Sequence, residues 1–330
     1  MHKTISLLIT VTVVWFSGCA TTETAYGPRT FDAEPLTAIV VAYEPEMIAL
    51  VEAIDANPNA EMGEVFAIKG VRYRIGTYQG EPVIVFATGM SIANAAMSMQ
   101  MAFDYFPIKE VIYMGIAGAV NPQLQPGDVT VPARWYYHDE SVYVNPDPNE
   151  TGEFIEPDYY EGFLSRKDAR RAKDPNIPNY KPFGMIHPDD VLIIKEGMTE
   201  PKETAYFSAT PRLLEATAAA IQSMPEIEVL PGRMAAITVG GNGVTGSVFV
   251  DNREYRKWIR DVFNAEVTEM ESAAIGQVCH INDIDWVIIR AVSDLAGGQE
   301  GKNDENIYDV KASRGGAAVL FALLDELMAE

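Results

Sequence analysis

The run LTAIVVA, from Leu36 to Ala42, limits the architecture of this chain more than any other stretch. It has the length of a strand, is rich in β-branched residues and shows no polar alternation. It therefore predicts a strand covered on both faces, as in sheets that carry helices on each side. Tyr43-Glu44-Pro45-Glu46 follows, and Pro45 suits the first turn of a helix running through Met47, Leu50, Val51 and Ile54. Glu46 is thereby delivered to the carboxyl end of a strand, where open α/β sheets place their ligands.

The same grammar recurs along the chain. Val71 to Thr77 and Pro82 to Thr88 read as a strand pair, and Thr88-Gly89-Met90-Ser91 opens a helix from Ile92 to Tyr105. A strand from Glu110 to Met114, a tight turn at Gly115-Ile116-Ala117-Gly118 and a short strand from Asp128 to Val131 come next. After a helix from Pro211 to Ser223, the strand Ala235 to Val239 leads into the loop Gly240-Gly241-Asn242-Gly243. Asp251 to Phe263 and Ala312 to Met328 are predicted helices, and Asp285 to Val292 is a predicted strand. The expectation is an α/β fold, a single domain with a central mixed sheet flanked by helices, spanning 36–330. Between about 140 and 210 the pattern dissolves into Pro, Asp, Asn and Tyr, which marks an inserted loop-rich segment. Its basic patch, Arg166, Arg170 and Arg171, is expected to pair with local acids in so acidic a chain.

Charge narrows the partners. With 47 acidic against 25 basic residues the formal charge is -22, which argues against nucleic acid, because phosphate backbones are bound by clustered Lys and Arg. Lys3, the apolar run Ile5 to Phe16, and Ser17-Gly18-Cys19 have the layout of an export signal too short to span a membrane. Residues 1–18 are read as a signal peptide and Cys19 as a lipidation site, the Ser-Gly-Cys context resembling a bacterial lipobox. The stretch 19–35 reads as a tether, so the protein is expected in the cell envelope, held to membrane only by its lipid. Cys279 is the other cysteine of the chain, and a packing role within a helix is expected for it.

VTEMESAAI, from Val267 to Ile275, sets Glu269, Met270 and Glu271 at a predicted helix start. A carboxylate there feels the helix dipole and suits a sugar diol, although an acidic first turn is common without any ligand. Asp294 follows the last strand directly, and Arg290 within that apolar run requires a buried partner. The spacing at Gly240–Gly243 is not a dinucleotide fingerprint, so no nicotinamide cofactor is assigned, and no metal site is expected.

Taken together, AYEPEM, TGMSIANAA, GIAGAV with PGD, GNGVTGSV, VTEMESAAI and IRAVSDLAGG resemble, in order and spacing, the nucleoside phosphorylase/nucleosidase superfamily. The resemblance is greatest to methylthioadenosine/S-adenosylhomocysteine nucleosidases and covers Leu36 to Glu330 outside the insertion. It implies hydrolysis of a purine nucleoside: Asp294 protonates N7 of the base, Glu46 activates water, Glu271 holds the ribose hydroxyls and Met270 packs beneath the sugar. Ile116, Ala117, Gly118, Gly243, Val244 and Ser293 are implied substrate contacts, and a homodimer is implied as the assembly. Three departures bear on this. Tyr113 and Met114 stand where phosphorolytic relatives carry a phosphate-binding arginine. Ile116 replaces a hydroxyl residue that orients the catalytic aspartate, and Gly243 replaces an aromatic residue over the purine. The competing readings are a non-catalytic nucleoside-binding protein and, ranked below it, a phosphorylase.

Overall fold

The computed structural model describes residues 34–160, 162–301 and 305–329. The expected export signal and lipidation site, residues 1–18 and Cys19, lie outside the described residues. The strand expected first, β1 (Leu36–Val41), is buried at every position. Ala38 and Val40 face one core and Ile39 and Val41 the other, which is why the run shows no polar alternation. Each fully buried Val or Ile contributes about 1.5–3 kcal/mol.

β1 is followed by α1 (Glu44–Ala56), the strands β2 (Ala60–Ile68), β3 (Val71–Tyr78) and β4 (Glu81–Ala87), α2 (Ile92–Tyr105) and the long β5 (Ile108–Ala119). Then come β6 (Val129–Val131), β7 (Arg134–Tyr137), α3 (Phe163–Arg171), α4 (Pro211–Ser223), β8 (Ile237–Val239) and β9 (Asn242–Thr245). The chain continues through α5 (Arg253–Phe263), β10 (Ala265–Glu269), α6 (Ser272–Ile281), β11 (Asp285–Asp294) and α7 (Glu305–Ala329). The sheet order is β7-β9-β10-β5-β1-β4-β3-β2, with Phe207–Ser208 added beyond β7. β11 pairs with β5 and β6, and β6 with β8. β1 runs parallel to β4 and β5, and β11 parallel to β5, whereas β10 meets β5 antiparallel, so the sheet is mixed. Residues of α2 and α6 pack on one face, and residues of α1, α4 and α7 on the other.

Local expectation and structure part in three places. Gly115-Ile116-Ala117-Gly118 is not a turn but the continuation of β5, because these residues pair with Arg290 to Asp294 of β11. Glu269 ends β10 rather than opening a helix; pairing of β10 with β9 overrides the local helical signal, and α6 starts at Ser272. β2 is absent from the sequence reading, since a bulge between Met62 and Val65 breaks its alternation.

The insertion has structure of its own. Short antiparallel pairs join Ser141–Tyr143 to Ile186–Pro188 and Val191–Ile193 to Lys202–Thr204, with α3 alongside. Within its basic stretch, Lys167 and Arg170 are paired internally. Lys167, nearly unexposed, lies 2.9 Å from Asp189, 2.8 Å from Asp190 and 4.7 Å from the Phe163 ring centre. Arg170 pairs with Asp190 at 2.5 Å and with Glu203 at 2.7 Å. A buried ammonium is tolerated only with such partners.

Candidate active site

A cavity of about 180 Å³ opens at the carboxyl ends of β1, β5 and β11. Glu46, Ile116, Ala117, Gly118, Met270, Glu271, Ser293 and Asp294 all line it. Gly243 and Val244 do not. Both are buried within β9, and Val244 packs in the core beneath α5. A side chain at position 243 would strike the Trp135 ring, so glycine there serves sheet packing and no ligand.

Glu46 sits in the first turn of α1, only 2 % exposed. Its Oε2 accepts from Ala42 N at 2.8 Å and Tyr43 N at 2.9 Å, and its Oε1 from Ile116 N at 2.8 Å. Burial pushes its pKa above the usual carboxylate value, against the opposing pull of Arg290 and the three N–H groups. The result is a fixed carboxylate with raised affinity for a proton, as a base acting on water requires. The backbone of Ile116 thus has a role here that its side chain does not share.

Arg290 is the hub. Fully buried at mid-strand, it donates from Nη2 to Glu269, and that nitrogen lies 3.3 Å from Glu271 Oε2. Its Nη1 donates to the Ile116 carbonyl at 3.1 Å and stands 3.9 Å from Glu46 Oε1. The Tyr113 ring covers the guanidinium, its centre 4.8 Å away. The position that phosphorolytic relatives would fill with a phosphate-binding cation here holds an aromatic lid on an internal one.

Glu271 is the residue before α6, and its Oε1 accepts from Ser91 N at 2.7 Å. Burial, then Glu269 and Glu46 as like charges, push its pKa up to about 8, with Arg290 and the Ser91 N–H opposing. Asp294 closes β11. Its Oδ1 accepts from Ala296 N at 2.7 Å and its Oδ2 from Ser293 Oγ at 2.9 Å. The side-chain hydroxyl absent at position 116 is therefore supplied to the aspartate by its own neighbour. Gly118 faces it, and the missing side chain leaves the carboxylate room.

Other residues at the site are not disclosed by the sequence pattern. Ser91 holds a positive φ of 81°, an unfavourable conformation for a non-glycine residue, and through it directs its N–H at Glu271. Val248 and Phe249, about half exposed, stand at the cavity mouth. Their loop is held by Gly246 N donating to the Glu269 carbonyl at 3.0 Å and Ser247 N to Asp139 Oδ2 at 2.6 Å. The available signal was the apolar Val248-Phe249-Val250 directly after a turn. Cys279 is buried in α6, consistent with packing.

Comparison with known proteins gives the family and the fold. A 5′-methylthioadenosine/S-adenosylhomocysteine nucleosidase of Tolumonas auensis is 25% identical over 290 residues, covering 88% of this chain and 98% of the relative. Among solved structures, the futalosine hydrolase of Helicobacter pylori superposes with a TM-score of 0.62 at 17% identity, covering 88% of this chain and 98% of that one. The 5′-methylthioadenosine/S-adenosylhomocysteine nucleosidase of the same organism, bound to an inhibitor, gives 0.62 at 18% identity with the same coverage. These structural likenesses bear on the fold. The sequence model of the phosphorylase superfamily matches residues 37–329, from the second residue of β1 to the end of α7, and the chain accordingly belongs to that superfamily.

Proposed function

We propose that this cavity hydrolyses the N-glycosidic bond of an adenine-type purine nucleoside, such as methylthioadenosine, adenosylhomocysteine or adenosine. The carrying observation is that Glu46, Glu271 and Asp294, from three separate elements, line one small cavity. Asp294 gives a proton to N7 as the bond between C1′ and N9 breaks, so the base leaves neutral with the bonding electrons. Glu46 takes a proton from the water that adds to C1′, and the sugar leaves as free ribose or its 5′-substituted form. Glu271 accepts the ribose hydroxyls while positive charge develops on the ring, and Met270 supports its underside. Phe249, rather than any residue at 243, supplies an apolar face for the base.

Hydrolysis is favoured over phosphorolysis by charge. Among the described residues no lysine or arginine lines the cavity, and Arg290 is committed to Glu269, Glu271 and Ile116. A phosphate dianion entering there would meet the carboxyl groups of Glu46, Glu269, Glu271 and Asp294 and, among the described lining residues, no cation. The relatives' names support the nucleosidase reading, and the mouth formed by Met90, Val248 and Phe249 suits an uncharged 5′ group such as a thioether.

The protein is further read as a lipid-anchored envelope enzyme, on the pattern Ile5 to Cys19, and as a homodimer. Support for the dimer comes from Met90 at the mouth and Met97 on the following helix, both more than half exposed. The deciding experiment measures base release from methylthioadenosine, adenosine and inosine, with and without phosphate. Release without phosphate from the adenine substrates is expected. Release only with phosphate, or from none of them, refutes the proposal.

A further inference from the structure

Helix α6 is capped in an unusual way. The first N–H groups of a helix need acceptors, and the side chain of the N-cap residue commonly provides one. Here the N-cap is Glu271, whose side chain makes no such bond. It turns instead to Ser91 N and Arg290 at the cavity. The acceptors come from elsewhere. Glu269 accepts from the backbone N–H groups of Glu271 and Ser272, each at 3.0 Å, and from Ser272 Oγ at 2.9 Å. Thr245, the last residue of β9, accepts from Ala273 N at 2.8 Å through its Oγ1. The same hydroxyl donates its proton to Glu269 Oε1.

Thr245 is fully buried and does not line the cavity, so it touches no substrate. Every atom of its hydroxyl is nonetheless spent on groups that hold the site. It ties the first turn of α6 to Glu269, and Glu269 in turn anchors the Arg290 guanidinium.

We propose that Thr245 and Glu269 are a positioning pair that caps α6 in place of Glu271, leaving the Glu271 carboxylate free for the sugar diol and holding Arg290 beside it. Without the borrowed cap, the open N–H groups fall to the acceptor that an N-cap position ordinarily supplies, here the Glu271 carboxylate. It would fold back onto its own helix, as N-cap carboxylates do, and leave the ribose position empty. Thr245 thus determines sugar recognition from behind the sheet. This inference rests on the reading of Glu271 as the ribose-holding residue.

The test compares sugars rather than rates alone. Thr245→Val keeps the shape of the side chain but removes both hydrogen bonds, and Thr245→Ser keeps the hydroxyl. For adenosine, Thr245→Val is expected to lower kcat/KM by about tenfold or more, chiefly through KM, as displaced binding groups do. For 2′-deoxyadenosine, which offers Glu271 less, the loss is expected to be smaller. The preference for ribose therefore shrinks by about fivefold, and Thr245→Ser restores it. Equal losses for both sugars, or an unchanged preference, would overturn the proposal, because a role confined to stability lowers Tm without distinguishing them. If Thr245→Val does not fold, Thr245→Ala against Thr245→Ser makes the same comparison. Binding of 7-deazaadenosine and its 2′-deoxy form reads the same preference without turnover. An inactive wild-type protein would therefore refute the nucleosidase reading while still deciding this one.

Discussion

The protonation of Glu271 should govern how tightly a ribonucleoside binds. Its pKa is pushed from 4.5 up to about 8 by burial and by the like charges of Glu269 and Glu46. The protonated form therefore dominates the empty cavity below pH 8, whereas the carboxylate is the form that accepts two hydroxyl hydrogen bonds. The ionised fraction is small well below pH 8 and rises to dominate above it. If only the ionised form holds the diol, Kd should fall by up to about tenfold per pH unit below the pKa and level off above it. The assay is titration calorimetry with 7-deazaadenosine, whose carbon at position 7 makes it both unreactive and insensitive to Asp294. Glu271→Gln should abolish the trend and bind weakly throughout. A wild-type Kd that is flat across this range, or an equal slope in the glutamine variant, would refute the reasoning. By linkage the same shift acts on the fold with a defined sign. The native state keeps a proton that the unfolded chain releases, so this group's contribution to stability diminishes as pH rises from about 4.5 to about 8.

Asp294→Asn should reduce adenosine turnover by about 10²–10⁴-fold, the usual range for a lost general acid, while binding of 7-deazaadenosine changes little. Full turnover would show that the proton comes from another group. Phe249→Ala should raise KM for adenosine about threefold to tenfold, the range of an aromatic contact, with Tm unchanged because the ring is half exposed. An unaltered KM would remove Phe249 from the base site. Cys19→Ser should abolish incorporation of labelled fatty acid and release the protein from membranes. Retained labelling would disprove lipidation at that residue.

What the sequence disclosed depended on how local its cause was. β1 and the start of α1 were legible because a buried strand followed by Pro45 is a pattern of adjacent residues. The carboxyl-end positions of Glu46 and Asp294 followed from that pattern, as did the need for a partner at Arg290. The course of β5 through Gly115–Gly118 was hidden, since its partner strand β11 lies far along the chain and isolated glycines imitate a turn. Gly243 misled for a related reason: its cause is the Trp135 ring on a neighbouring strand, and no local rule discloses that neighbour. Ser91 and Phe249 were missed because backbone direction and loop placement decide their roles, not residue type.

The unfilled position at Gly115 has a practical consequence. A methyl group there would collide with the Arg290 guanidinium and crowd Glu46, although position 115 itself carries no chemistry. Alanine at this point would disturb the hub while leaving net charge and every acidic side chain as they are. It therefore separates the geometry of the hub from its charge, which mutation of the acids cannot do.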